Sequence, residues 1–396
     1  MMQPAKKNVA LLVICQALSM TSITALFTVA ALIGDRLSTD SSLATLPIAF
    51  LQVAVMLTTI PASLFMQRVG RRTGFLLGTI IGMVGAGLGV LAVWIGNFPL
   101  FCLATILFGI FNGFAGFYRF AAADAADPAF RAQAISLVVA GGIVAALLGP
   151  NLANWGKDWL PTAMFAGSLV PIVLLQLITL IFLQGVNIPP LSSQEISQTG
   201  RSITTIMQQP IFIAAAVCSM VGYSVMVLLM TATPLAMVSV PHPFHHAATV
   251  IQWHVLGMFT PSLFTGFLIA RFGVLTIITC GIILNFLCIV TNLAGTGVAY
   301  FLIALTLLGI GWNFMFVGAT TLLTQVYTPA EKASTQAAHD FLMFTCVAIA
   351  AFLSGRLLSE MGWVAVNYVA LPGLLIALMA VFWLRHQGVL KPAAKL

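Results

Sequence analysis

Ser63-Leu-Phe-Met-Gln67-Arg68-Val-Gly70-Arg71-Arg72 and Gly266-Phe-Leu-Ile-Ala270-Arg271-Phe-Gly273 are the two stretches on which the fold turns. Each sets a small residue, an arginine and a glycine at one spacing, and the copies lie 203 positions apart (Arg68 to Arg271, Gly70 to Gly273). A long apolar run precedes and follows each copy. The glycine suits a tight turn between antiparallel helices, and the arginine can cap carbonyls or pair with a neighbouring helix end. The repeat therefore predicts two related halves, each with the same short loop after its second helix.

The flanking sequence supports this. Of 396 residues, 60% are hydrophobic and 6% charged, against about a quarter charged in soluble proteins. So few charges cannot cover a water-facing surface, so lipid is the main solvent and partner. A span across about 30 Å of hydrocarbon takes roughly 20 apolar residues. Hydropathy gives spans near 8–34, 43–66, 73–95, 98–123, 132–154 and 161–184, then 210–240, 245–270, 272–293, 297–326, 332–358 and 363–386. Lipid offers no partner to unpaired backbone groups, and the runs are too long for barrel strands, so they are helices. The expected fold is an all-α integral membrane protein with twelve transmembrane helices in two pseudo-symmetric six-helix halves. Its parts are residues 1–184, a polar cytoplasmic segment 185–209 with Pro189, Pro190, Glu195 and Arg201, and residues 210–396.

Charge fixes the orientation. With both termini inside, inner loops and tails carry Lys6, Lys7, Arg68, Arg71, Arg72, Arg119, Arg131, Arg201, Arg271, Lys332, Arg385, Lys391 and Lys395, and the outer side carries Arg36, Lys157 and Arg356. Thirteen of the 16 basic residues thus lie inside, the asymmetry expected of cytoplasmic loops. An odd number of spans would destroy it. It also accounts for the net charge of +7, so no nucleic-acid partner is implied. The apolar run from about Val9 to Ile33 is too long for a signal-peptide core and is expected to stay as the first span. A multi-pass protein of a bacterial inner membrane, acting as a monomer, is the expectation.

No phosphate-binding glycine loop, catalytic triad or paired carboxylate appears, so neither an enzyme nor a resident cofactor is predicted. Asp35, Asp40, Asp158 and Glu360 fall at the outer side and Asp124, Asp127, Glu195 and Glu331 at the inner face, where solvated topology charges are expected. The seventh and eighth spans differ. Met226 and Met230 share one helix face, as do His254 and Met258, because residues four apart are neighbours. At about 1.5 Å per residue, Met230 and His254 lie at similar depth. Cys218 extends the stripe inward and His246 extends it outward, with His242 and His245 at the mouth. Thioether, thiolate and imidazole groups select copper over hard cations, and a ladder of weak ligands lets an ion pass. Copper is then the transported substrate. Packing is the plain alternative, since methionine fills gaps in apolar cores. Asp340, within the eleventh span beside His339, is a candidate for proton coupling, or else a structural partner of Arg119. Trp312, Asn313, Gln16 and Asn112 are open between cavity lining and packing.

The Arg68–Arg72 loop and its second copy resemble the signature loop of the major facilitator superfamily, in which a small residue is followed by Asp-Arg-x-Gly-Arg-Arg. The resemblance covers the whole chain and implies alternating access about a central site. The acidic position is Gln67 here and Ala270 in the second copy, so a gate that depends on that acid is in question. Gly141, Gly142, Gly149 and Pro150 loosely resemble an antiporter motif, or else serve close helix packing. Met226-x3-Met230, followed 28 positions on by His254-x3-Met258, resembles the copper-importer branch that supplies cytochrome c oxidase maturation. Related members of that branch are thought to carry riboflavin. The resemblance implies a secondary transporter importing copper, with an amphipathic organic solute such as riboflavin or a drug as the alternative. A membrane sensor or assembly factor is a third class.

Overall fold

A computed structural model of the chain describes residues 4–126, 131–188, 200–328 and 331–388. Among the described residues every regular element is a helix. The first six spans are Pro4–Leu37, Leu46–Val69, Arg71–Trp94, the pair Phe98–Ala115 and Tyr118–Ala125, Arg131–Gly156, and Ala166–Gln184. The seventh is Pro210–Ser239, the eighth is the pair Phe244–Phe259 and Ser262–Phe272, and Val274–Ala294 and Val298–Leu323 follow. A last helical stretch, Lys332–His386, has 55 residues. It would reach roughly 80 Å at ~1.5 Å per residue, far beyond a ~30 Å core. Gly362, at φ 79° and ψ 177°, interrupts it and makes it the eleventh and twelfth spans. The total is twelve, in two six-helix halves.

The repeated loops prove to be single-residue turns. Gly70 (φ 88°, ψ 153°) alone separates the second and third spans, and Gly273 (φ 83°, ψ 147°) alone separates the eighth and ninth. Almost only glycine occupies that region, so the two glycines recur because both turns require it. The arginines around them differ. Arg71 forms an ion pair with Asp124 at the end of the fourth span. Arg72 donates from Nη2 to Gln184 Oε1 at the end of the sixth, 2.9 Å away. Arg68 is exposed, and Arg271 lies over its neighbour Phe272, 5.5 Å from the ring centre. The Gln67 side chain, Asp127, Pro189, Pro190, Glu195, Lys391 and Lys395 lie outside the described residues.

Glu331 departs from the expectation of a solvated topology charge. Its side chain is 3% exposed. Arg201 donates to it from the backbone N–H, Nε and Nη2 at 2.8 Å each, and the Thr328 N–H adds a fourth bond at 2.9 Å. The Arg201 guanidinium, with these N–H groups, holds the Glu331 carboxyl well below the usual carboxylate range. The segment before the seventh span is thereby tied to the start of the eleventh.

The eighth span bends by 43° at Thr260–Pro261, where hydropathy predicts one unbroken helix. Proline cannot donate to the preceding turn, and the break leaves carbonyls and hydroxyls that lipid cannot satisfy. Asn313 of the tenth span supplies the partners. Its Nδ2 donates to the Met258 carbonyl at 2.7 Å and to Ser262 Oγ at 2.6 Å, while Thr265 Oγ1 donates to Asn313 Oδ1 at 2.7 Å. Asn313 is a structural residue of the break rather than cavity lining.

The halves meet chiefly through the second span on the eleventh and the fifth on the eighth. Calling the basic side inner, the polar and ring contacts between halves among the described residues lie at mid-depth or nearer the outer side. The Gly355 N–H donates to Thr45 Oγ1 at 3.0 Å, and Asn151 Nδ2 donates to Gln252 Oε1 at 3.2 Å. Phe165 meets Phe244 edge-on at 5.0 Å. In the fifth span Gly141 faces the Ala17 backbone of the first, Gly149 faces the Thr24 side chain there, and Gly142 faces the Phe259 ring of the eighth. These are close helix approaches, in line with the packing alternative.

Candidate functional site

Met226, Met230, His254 and Met258 are all buried within the protein rather than turned to lipid, at 3%, 7%, 0% and 8% exposure. The eighth span, however, packs mainly on the tenth and the fifth and touches the seventh only slightly, while the seventh packs on the last helical stretch and the tenth. Gly257 and Gly309 allow the eighth and tenth backbones to approach so closely that a Cβ on either would strike the other helix. This approach fixes His254. Its Nδ1–H donates to the Leu305 carbonyl at 2.8 Å, and Nε2 is buried without a partner. Among the described residues no group of three or more His, Cys, Asp or Glu side chains could hold a metal. Cys218, the inward step of the proposed ladder, is fully buried.

The mouth histidines do come together. The His245 and His246 rings are 4.1 Å apart and those of His242 and His246 6.4 Å apart. His242 is engaged by the Thr296 carbonyl of the following loop at 2.8 Å.

Of an aromatic cluster at mid-depth, sequence reasoning named Trp312 alone. Tyr223 of the seventh span lies edge-on to Trp312 and Phe316 of the tenth (5.4 and 5.9 Å) and to Phe344 of the eleventh (5.8 Å). Trp312 stacks on Phe316 at 4.9 Å, and Phe259 of the eighth meets Trp312 at 6.4 Å. Four of these rings are part-exposed, and the Trp312 Nε1–H is a buried donor without an acceptor. Met230 lies two turns beyond Tyr223 on the same helix stripe, so the methionines continue this wall. Such an arrangement offers ring faces and edges for a planar aromatic guest, with a free donor for a carbonyl or ring nitrogen. The only sequence signal is aromatic residues at mid-span in four helices, with the Trp312–Phe316 spacing of four.

Asp340 pairs with its neighbour rather than with Arg119. The His339 Nδ1 lies 3.0 Å from Asp340 Oδ1, and His339 Nε2 lies 3.0 Å from Ser219 Oγ of the seventh span. Arg119 lies over the Phe120 ring at 4.8 Å, its Nε buried without a hydrogen-bond partner.

A family model described as the Major Facilitator Superfamily matches residues 12–240. The chain is 41% identical over 379 residues to the riboflavin transporter RfnT of Brucella anthropi, covering 95% of each chain. It is 26% identical over 395 residues to the uncharacterized MFS-type transporter YddS of Bacillus subtilis, covering 96% of this chain and 91% of that one. Among solved structures, that of the human organic anion transporter MFSD10 (TETRAN) superposes with a TM-score of 0.70 at 12% identity, over 96% of this chain and all of that one. That likeness concerns the fold alone.

Proposed function

The chain belongs to the Major Facilitator Superfamily, and from that premise we propose that it carries riboflavin, or a closely related planar heteroaromatic solute, through the membrane by alternating access. The aromatic cluster of Tyr223, Trp312, Phe316, Phe344 and Phe259 carries this reading. Its Phe259 ring faces Gly142 of the first half, and its rings lie near mid-span, the depth at which alternating-access carriers bind their cargo. A flat ring system gains stacking and buried area there, and the free Trp312 Nε1–H meets a ring carbonyl. The identity to a riboflavin transporter along nearly the whole chain supports the same cargo. Contacts between the halves toward the outer side suit a conformation closed outside. A bacterial inner membrane with cytoplasmic termini remains the placement that the charge asymmetry favours.

Uptake of labelled riboflavin into proteoliposomes tests this. Trp312→Ala should lower apparent affinity roughly 10-fold, as losing about 1.4 kcal/mol of stacking would. Met226→Leu with Met230→Leu should leave it near the wild-type value. Wild-type vesicles that take up no riboflavin would end the proposal.

One observation favours copper as a second cargo. The Leu305 carbonyl holds His254 Nδ1–H and leaves Nε2 as a buried lone pair, which is how outer-shell bonds orient metal-binding imidazoles. If copper is carried, Met230→Leu and His254→Leu abolish its accumulation while riboflavin uptake persists.

A further inference from the structure

Asp340 lies eight residues beyond Lys332, the start of the eleventh span, about 12 Å into the helix at ~1.5 Å per residue. Its side chain is nevertheless 31% exposed. A carboxylate at that depth is costly unless water or a partner reaches it. His339, by contrast, is 2% exposed and held at both nitrogens, by Asp340 Oδ1 and Ser219 Oγ at 3.0 Å each. A part-exposed carboxylate is thus joined through a buried imidazole to the seventh span.

We propose that the Asp340–His339 pair binds and releases one proton in each transport cycle and so couples solute movement to a proton gradient. Unprotonated, the pair is a carboxylate accepting from the His339 Nδ1–H, while the Ser219 hydroxyl donates to Nε2. One added proton rests on the carboxyl or on the imidazole. When it rests on the imidazole, Nε2–H donates to Ser219 Oγ, and the Ser219 hydroxyl must turn to another acceptor. The same proton leaves on the other side of the membrane, so charge and atoms balance with nothing else consumed.

The neighbouring charges give the proton something to act on. Arg119 lies toward the inner end of the fourth span, in the other half, with its Nε buried and unpartnered. Tyr223 and Cys218 are the titratable groups of the seventh span, and the second span has none before Arg68. With the inner side closed, an unprotonated Asp340 is the available acceptor for Arg119 across the seam, and a proton on the pair weakens that attraction. The Ser219 hydroxyl that His339 holds lies one turn from Tyr223 on the seventh span, so protonation is felt at the aromatic site.

The inference takes its probe from the proposed cargo but does not depend on it. In proteoliposomes with a trapped pH dye, a riboflavin gradient should drive proton movement through the wild type. Through Asp340→Asn it should drive none, while riboflavin counterflow, which needs no net proton transfer, continues in that variant. Ser219→Ala should shift the pH profile of uptake without abolishing it. Wild-type exchange without proton movement, or proton movement surviving in Asp340→Asn, would overturn the proposal. If the wild type moves no riboflavin at all, the cargo assignment fails instead. Infrared difference spectra of the purified protein between about pH 5 and 8 then decide, because the proposal requires a carboxyl or imidazole band that Asp340→Asn and His339→Asn lack. Spectra identical to the wild type in both variants would refute it.

Discussion

The second span runs unbroken from Leu46 to Val69 although it contains Pro61, whereas its counterpart in the other half, the eighth, is cut at Pro261 and repaired by Asn313. The first half also secures its inner end internally, through Arg71 to Asp124 and Arg72 to Gln184. In the second half Arg271 lies over the adjacent Phe272 ring, and the acid at the corresponding end, Glu331, is taken by Arg201 from the connecting segment. The aromatic cluster and the Asp340–His339 pair both lie in the second half. A shared plan thus ends as a braced half and a half with a broken, side-chain-patched span beside the aromatic cluster. A broken span suits a site that must open, because its exposed backbone groups are satisfied by side chains that can exchange partners.

The largest effect should come from the patch. Asn313→Leu leaves the Met258 carbonyl and the Ser262 hydroxyl without this partner, while Thr265 keeps the Pro261 carbonyl, and should cost about 3 kcal/mol, read as a fall of several degrees in thermal unfolding in detergent. A change within error would mean that the break needs no repair, and the contrast between the halves would weaken. Next come the shared turns. Gly70→Ala and Gly273→Ala should each cost roughly 1–3 kcal/mol, and similar values for both would confirm that this feature belongs to the common plan. The arginines should then divide the halves. Arg71→Gln should lose about 1 kcal/mol or less, as part-exposed ion pairs do, and Arg271→Gln should lose nothing measurable. The smallest effect should appear only in acid. Glu331 titrates below its ordinary value in the folded chain, so its contribution is complete above the usual glutamate range near pH 4.3. It fades as pH falls through and below that range. Glu331→Gln should remove this acid sensitivity of the Arg201 contact, measured as unfolding temperature against pH.

The span count, the two halves and both glycine turns were legible because they depend on local pattern: apolar run length, charge asymmetry and a repeated loop. The bend at Pro261 was not. Pro61, Pro150, Pro171, Pro234 and Pro372 all lie inside helices, so proline alone does not mark a break. What distinguishes Pro261 is a distant asparagine, and pairing across spans leaves no trace in hydropathy. The same reasoning applies to the site. Met226, Met230, His254 and Met258 stood out because residues four apart announce a helix face, and they do prove to be buried. The rings of Tyr223, Trp312, Phe316 and Phe344 come from three spans far apart in sequence and meet only in the fold. Asp340 was legible as an intramembrane acid, but its partner was its own neighbour rather than Arg119.

Binding of riboflavin to the purified protein, followed by quenching of flavin fluorescence, tests the central claim most directly. The account predicts saturable quenching by the wild type and by Arg71→Gln, with affinity lowered about 10-fold or more in Tyr223→Ala and Trp312→Ala, as loss of about 1.4 kcal/mol or more requires. Quenching by Trp312→Ala and Tyr223→Ala at wild-type affinity would contradict it.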